Sequence, residues 1–436
     1  MCDARQAAFK ILLKIDGGAF SNLTLDAALK KESFSRCDAA FVAALVYTVT
    51  ERCLTIDYNL SLYLKQPIKR LAPQALAALR LGCAQIFFMD KVPVSAAVNE
   101  SVKLVRKNGC PHAAGVVNAV LRRAAENGLR LPDENDKSYQ SIKYSCPQWL
   151  VNLWTDSYGS ENAKGIMSAS LGAPENVVRV NTLRTAPDEL IDELEKEGVK
   201  AERHKRVKNA LILEKAGAVG SLEAYKKGLF HVQDTASQLC CEALGARGGE
   251  TVLDLCSAPG GKAFTLAQIM KNSGRIFAFD IHEKRLGLIR DGAKRLGIEN
   301  ITAAAGDAGI YDETVPLADR ILCDVPCSGL GVIGRKPEIR YKTPQDIDKL
   351  PELQYFILSA AGRYLKKGGT LVYSTCSLNP AENGEVCRRF LSENSDFYEV
   401  SALSEHQRCG RDGFITLLPH ISRCDGFFIA VMKKAD

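Results

Sequence analysis

Thr251-Val252-Leu253-Asp254-Leu255-Cys256-Ser257-Ala258-Pro259-Gly260-Gly261-Lys262 decides the fold of this 436-residue chain. An apolar run ends in an acid, small residues and a proline make a tight turn, and a helical pattern over Ala263–Met270 follows. Small residues let the backbone turn sharply and approach a ligand closely. A helix that starts there aims free N–H groups at whatever fills the turn. The spacing is neither the G-x-G-x-x-G dinucleotide loop nor a Walker A, which needs four residues between its glycines and a Lys-Ser/Thr. Outward from this stretch, strands fit Thr251–Leu255, Arg275–Asp280, Ile301–Ala305, Arg320–Cys323 and Thr370–Tyr373. Helices fit Glu283–Leu296, Asp346–Leu365 and Glu382–Ser392. Such alternation predicts an α/β domain with a parallel, doubly wound sheet. Phe414–Leu418 and Gly426–Met432 are strand-like and close in sequence, which predicts a hairpin-type antiparallel edge on that sheet.

The predicted strand ends carry the chemistry. Cys256, Ser257, Ala258, Pro259, Gly260, Gly261 and Lys262 form the first loop. Asp280 ends the second strand, at the distance where an acid binds the two hydroxyls of a ribose. Asp307 follows the third, where a carboxylate can accept from an adenine amino group. Each acid alone reads more simply as a helix cap or loop residue. The loop and the two acids in register describe the site of an adenosyl cofactor. Cys327, in Asp324-Val325-Pro326-Cys327-Ser328-Gly329, and Cys376, in Ser374-Thr375-Cys376-Ser377, follow the last two strands. In a parallel sheet both thiols lie at the carboxyl edge, where open α/β sheets bind ligands. Two thiols at one edge suggest nucleophilic chemistry. Spacing alone does not say which of them attacks.

Upstream, residues 1–130 read as all-helical, with apolar residues at helical spacing in Ala4–Ile15, Ala39–Arg52, Pro73–Met89, Ser95–Lys107 and Ala113–Asn127. In the last, Val116, Val117, Val120 and Leu121 make the apolar stripe. Residues 131–175 read as a linker with one helix near Pro147–Tyr158. Residues 176–235 read as a small mixed α/β segment with strands at Val177–Asn181 and Ala210–Leu213 and a helix at Pro187–Glu197. Residues 236–436 form the doubly wound domain.

Charge separates these parts. Residues 1–150 hold 20 Lys and Arg against 13 Asp and Glu, and the remainder holds 37 against 38. A basic module joined to a near-neutral one suits polyanion docking, although a solvated lysine face reads the same way. Fifteen cysteines in a long chain without C-x-x-C argue against a disulfide framework, zinc spacing or a thiol redox motif. No apolar run approaches the ~18 residues of a membrane span, and charges interrupt the N-terminus, so a cytoplasmic protein without signal peptide is expected.

Cys256–Lys262, Asp324–Gly329 and Ser374–Ser377 together resemble the RNA cytosine-5 methyltransferases of the Nol1/Nop2/Sun family. Gly228–Gln238 is similar to that family's entry motif, and Asp425–Ala430 to its last strand. Val92–Glu100 and Gly115–Arg122 resemble a NusB-like helical domain, and Gly331–Ile339 is similar to the extension of the family branch that carries that domain. Ala263, Gly334 and Gly384 depart from the usual pattern. The resemblance covers most of the chain and implies an N-terminal NusB-like bundle, a small mixed α/β RNA-binding segment and a C-terminal Rossmann-like domain. It implies S-adenosyl-L-methionine as cofactor, held by residues 256–262 with Asp280, Asp307 and Asp324. No metal and no membrane are implied, and a monomer is expected. It implies methylation of cytosine C5 in 16S ribosomal RNA, at cytosine 967. Cys376 is then implied as the nucleophile that adds to C6, Cys327 as the aid to product release, Asp324 as the reader of the cytosine edge, and Lys262 as a source of positive charge. Lys103, Arg106, Lys107, Arg122 and Arg123 are candidate phosphate contacts. A transfer RNA or another ribosomal cytosine as substrate, and a non-catalytic RNA-binding assembly factor, stay open as alternatives.

Overall fold

The computed structural model describes residues 3–18, 21–32, 34–172, 174–214, 216–401 and 414–436. It divides into two units, Met1–Gly172 with Ile333–Lys342, and Ala173–Val332 with Thr343–Asp436. No single helix among the described residues is long and apolar enough to cross a membrane.

The first unit is helical. Its helices are α1 (Ala4–Asp16), α2 (Ser21–Lys31), α3 (Arg36–Glu51), α4 (Cys53–Ser61), α5 (Pro73–Phe88), α6 (Val94–Lys107) and α7 (Ala114–Asn127). On α6 the residues Ala97, Val98, Ser101, Leu104 and Val105 face inward at helical spacing, which leaves Lys103, Arg106 and Lys107 exposed. On α7 the inward face is Val117, Val120, Leu121 and Ala124. Val116, expected in that stripe, is 47% exposed, because it lies one position off the buried row. Arg122 and Arg123 are exposed on the same helix.

The stretch read as a linker with one helix holds three: α8 (Tyr139–Lys143), α9 (Gln148–Tyr158) and α10 (Ser160–Ala169). They bury Tyr139, Leu150, Val151, Trp154, Ile166 and Met167. Ile333–Lys342 joins this unit although it lies far along the chain. The buried Arg340 guanidinium donates to the carbonyl oxygens of Glu51, Tyr144, Ser145 and Ser170 at 2.9–3.3 Å. The Trp149 indole N–H donates to the Lys342 carbonyl, and Glu338 accepts from the Ser21 hydroxyl at 2.7 Å.

The second unit contains two sheets. The smaller joins β1 (Asn176–Val180), β2 (Lys200–Arg203), β3 (Ala210–Glu214) and β4 (Phe230–Val232) in the order β2-β3-β1-β4, all antiparallel. Helix α11 (Pro187–Lys196) packs Leu190 and Leu194 into a core with Val178, Val180, Leu211 and Phe230. A one-turn helix, α12 (Glu223–Lys226), and then α13 (Thr235–Leu244) lead to the larger sheet.

That sheet is built on β5 (Thr251–Asp254), β6 (Arg275–Asp280), β7 (Ile301–Ala305), β8 (Ala318–Asp324) and β9 (Leu365–Thr375). Their order is β7-β6-β5-β8-β9, all parallel. The central strands read as apolar runs because both of their faces are covered. Helices α14 (Gly261–Ile269), α15 (Glu283–Leu296), α16 (Leu350–Tyr364) and α17 (Gly384–Glu393) make the crossovers and cover. The chain returns through β10 (Phe397–Glu399), β11 (Ile415–Leu417), α18 (Pro419–Ser422) and β12 (Phe427–Lys434). β12 runs antiparallel to β9, as expected, and pairs β11 as a hairpin partner. It is an inner strand, because β10 pairs its far side. Strand order reverses between β5 and β8, so the crevice beyond their carboxyl ends is where this architecture binds ligands.

Candidate functional site

The loop after β5 enters that crevice. Gly260 sits at φ +104°, and a Cβ there would meet the Phe264 ring at 2.6 Å, so both conformation and space demand glycine. The loop is tied to β6. Ser257 N–H donates to the Phe279 carbonyl at 2.7 Å. Asp280 accepts from the backbone N–H groups of Ala258 at 3.3 Å and His282 at 2.9 Å. Arg285 pairs with Asp280 and also donates to the Ala258 carbonyl.

Beside the loop lies a cavity of about 200 Å³. Leu255, Phe279, Ile310 and Val315 give it apolar walls, and Asp307 supplies a carboxylate. Asp307 is itself steadied by the Gly309 N–H at 2.9 Å. Asp312 also reaches the lining, and apolar walls with carboxylate acceptors suit a flat aromatic ring that carries an amino group. Two further groups wait for partners. Neither carboxylate oxygen of the buried Asp254 has a well-formed hydrogen bond, and the Ser257 hydroxyl beside it lacks one too. Burial lifts the Asp254 carboxyl to about 7. Orphaned buried polar atoms at a strand end mark a place where a ligand completes the bonding. These residues therefore fit an adenosyl group with a charged tail.

Lys262, in the first turn of α14, points toward the other two strand ends. Its ammonium lies 2.5 Å from Asp324 Oδ2 and 5.4 Å from the centroid of the Phe427 ring. Burial works most strongly against the Lys262 charge, but the Asp324 carboxylate, with Cys240 and Cys241, holds the ammonium above the ordinary lysine range. Asp324 and Ser374 stand in register on adjacent strands, and the Ser374 hydroxyl donates to Asp324 Oδ1 at 2.9 Å.

The two cysteines follow immediately. Cys327 Sγ and Cys376 Sγ are 3.1 Å apart. That is far longer than a disulfide, ~2.05 Å, and suits a thiol donating to a thiolate. The two do not titrate alike. The hydrogen bond from Cys327 holds Cys376 below the usual thiol range against the cost of burial, with Lys262 assisting. Cys327 is pushed up, first by that same bond and then by burial. Cys256 is also pushed up, by burial and by Asp254, so it stays protonated. The arrangement provides one activated sulfur, a second thiol, a carboxylate and an ammonium.

The sequence therefore named residues that come together: Cys256–Lys262, Asp280, Asp307, Asp324, Cys327 and Cys376 line one edge of one sheet. Lys103, Arg106, Lys107, Arg122 and Arg123 lie on α6 and α7 of the first unit. Sequence reasoning passed over Asp254, Ser374, Gly331 and Glu382. Asp254 had a signal, an acid ending an otherwise apolar strand. Gly331 was visible only as the start of the Gly331–Ile339 extension, with no sign of its contacts: its N–H donates to the Cys376 carbonyl and its carbonyl accepts from Gly426 N–H.

The strand order, the loop and the strand-end residues define a Rossmann-like methyltransferase. The model of the family described as 16S rRNA methyltransferase RsmB/F matches residues 241–433. A NusB family model matches 2–126, and a ferredoxin-like domain of RsmF/B-like methyltransferases matches 146–220. The chain is 36% identical to the probable ribosomal RNA small subunit methyltransferase B of Bacillus subtilis (strain 168), over 99% of this chain and 98% of that one. It is 31% identical to the ribosomal RNA small subunit methyltransferase B of Escherichia coli O1:K1 / APEC, over 93% and 92%. The crystal structure of PH0851 superposes with a TM-score of 0.85 at 28% identity, over 99% and 98%. The chain belongs to the 16S rRNA methyltransferase RsmB/F family.

Proposed function

We propose that this protein methylates C5 of a cytosine in 16S ribosomal RNA, at cytosine 967, with S-adenosyl-L-methionine as methyl donor. The observation that carries the reading is the pair of unequal thiols 3.1 Å apart, beside the Lys262–Asp324 ion pair. The names of the relatives point to small-subunit ribosomal RNA as substrate.

S-adenosyl-L-methionine, when bound, supplies an electrophilic methyl group. Asp307 and the apolar cavity would hold its adenine, Asp280 its ribose, and the loop 256–261 with Asp254 its charged tail. The protein's own task is to make cytosine C5 nucleophilic, which the aromatic ring resists. Cys376 attacks C6 as the thiolate. The Cys376–C6 bond forms, and the ring's electron pair moves toward C5. Asp324 is assigned to hydrogen-bond the ring nitrogen or amino group, and protonation of that nitrogen makes C6 more electrophilic. Once C5 carries the methyl group, its proton passes to water, the C–H electron pair restores the C5–C6 double bond, and Cys376 departs as the thiolate. Cys327, the second sulfur, assists that release. Covalent catalysis thus divides one hard step into easier ones.

The base must leave its stack to reach the thiols, so a loop or bulge is the natural target. Lys103, Arg106, Lys107, Arg122 and Arg123 are assigned to phosphate contacts, whose strength falls as salt rises. Bisulfite sequencing of ribosomal and transfer RNA from a deletion strain tests the assignment. The expected result is loss of one small-subunit 5-methylcytosine signal, at cytosine 967. Loss of transfer-RNA signals alone contradicts it.

A further inference from the structure

Glu382 ends a short 3-10 turn, Pro380–Glu382, between β9 and α17. It is fully buried. Its carboxylate accepts from four neutral donors. Ser328 N–H lies at 2.7 Å and the Ser328 hydroxyl at 2.6 Å. The Ser377 hydroxyl lies at 2.7 Å and Gln354 Nε2 at 3.1 Å. Ser328 directly follows Cys327, and Ser377 directly follows Cys376.

The residues before the two cysteines are held by the same group of side chains. Gln354 Nε2 also donates to the Pro326 carbonyl at 2.9 Å. The Thr375 hydroxyl donates to Asn383 Oδ1 at 2.5 Å, and Asn383 Nδ2 donates to the Ser377 carbonyl at 3.0 Å. Each cysteine is thus bracketed on both sides, and the two brackets meet at one carboxylate. We propose that Glu382 is the positioning residue that fixes the two cysteine sulfurs relative to each other, so that Cys327 donates to Cys376 and not the reverse. This rests on the two-thiol reading above.

A carboxylate accepting several short hydrogen bonds is held in place far more firmly than a neutral side chain, because charge-assisted bonds are roughly twice as strong. A purely structural role would not need charge here. An amide of the same shape offers only one acceptor oxygen to four donors. The charge also acts on one sulfur more than the other. Glu382 is among the groups that keep Cys327 protonated, behind Cys376 and burial, while the acid that chiefly opposes Cys376 ionisation is Asp324. Position and charge therefore favour the same ordering, thiol at Cys327 and thiolate at Cys376.

The test is alkylation by iodoacetamide of the full-length protein without RNA, with modification at each cysteine read by mass spectrometry across a pH series. In the unaltered protein Cys376 reacts ahead of Cys327. In Glu382→Gln the ratio of the two rates falls by about tenfold, the effect of one unit of relative pKa, and kcat for methyl transfer falls while binding of the methyl donor is unchanged. Ser377→Ala, which keeps the charge and removes one donor, moves the ratio the same way by a smaller factor. It serves if Glu382→Gln does not fold. A folded variant with the unaltered ratio of rates overturns the proposal, even if its melting temperature is lower. Because alkylation needs no RNA, the two readings fail separately. A ratio that falls in a protein that methylates no RNA sinks the function and leaves the positioning role standing.

Discussion

Cys327 and Cys376 stand sulfur to sulfur at 3.1 Å on loops that leave two adjacent parallel strands. One hydrogen bond between them makes the thiols unequal, because the donor must keep its proton for the acceptor to lose one. In the proposed mechanism this inequality orders the reaction, and each part of the surrounding site bears on it.

Lys262 is one of the groups that draw the Cys376 thiol down. Lys262→Met removes that charge and leaves Asp324 without its cation. The thiol then ionises at higher pH, so the acid limb of the pH–rate profile moves upward. Methyl transfer near pH 7 falls by roughly 10–100-fold, the usual scale for a preorganised charge, and recovers in part near pH 9. A single-turnover pH series checks this. An unshifted acid limb contradicts it.

The Asp254 carboxyl, lifted to about 7 by burial, makes stability depend on pH. Its unfolded value is ~3.9. Between these values the unfolded chain has lost the proton and the folded one keeps it, so stability is full below about pH 4 and declines as pH rises through 7. Asp254→Asn cannot ionise. It is expected to exceed the unaltered protein in stability by on the order of 2–4 kcal/mol at pH 8 and by little at pH 4, while methyl-donor binding weakens. Urea unfolding at both pH values measures the difference, and an equal difference at both contradicts the account.

Gly331 locks the Cys327 loop to the Cys376 strand end. A Cβ on it would lie 1.9 Å from the Gly426 carbonyl oxygen and 2.9 Å from that of Cys376. Backbone cannot yield as a side-chain tip can, so Gly331→Ala displaces one loop. Activity is expected to fall at least 100-fold, as small misplacements of reacting groups do. Thermal melting and turnover, measured together, decide whether a folded enzyme has lost its geometry. Near-normal turnover contradicts the lock.

Asp280 ties the first loop to β6 through two backbone N–H groups. Asp280→Ala is expected to weaken binding of S-adenosyl-L-methionine by tenfold or more, the loss of about one charge-assisted contact, with RNA binding unchanged. Calorimetric titration of each ligand tests this, and unchanged donor affinity contradicts it.

Most of the larger sheet was legible because its strands are apolar runs and its loop is forced by small residues. Cys327 and Cys376 were visible for the same reason, each at the end of such a run. What stayed hidden depended on contacts between distant positions. The strand Lys200–Arg203 has three charged residues of four and a single inward residue, Ala201, so no apolar run marks it. Arg340 reads as a surface charge, yet it is buried against carbonyl oxygens supplied by the ends of other elements. Glu382 reads as a helix-start acid, but the donors that satisfy it lie 5, 28 and 54 positions away. No local pattern announces such a partner set. The proposed order of attack and release was likewise invisible to spacing, since both thiols occupy equivalent strand ends.

That order is the central claim, and trapping of the covalent intermediate tests it most directly. Each single variant, Cys376→Ala and Cys327→Ala, is incubated with target RNA and S-adenosyl-L-methionine, then run on a denaturing gel. A stable protein–RNA adduct is expected from Cys327→Ala, in which Cys376 attacks but release stalls, and neither adduct nor methylation from Cys376→Ala. An adduct from Cys376→Ala, with none from Cys327→Ala, would reverse the roles and contradict the account.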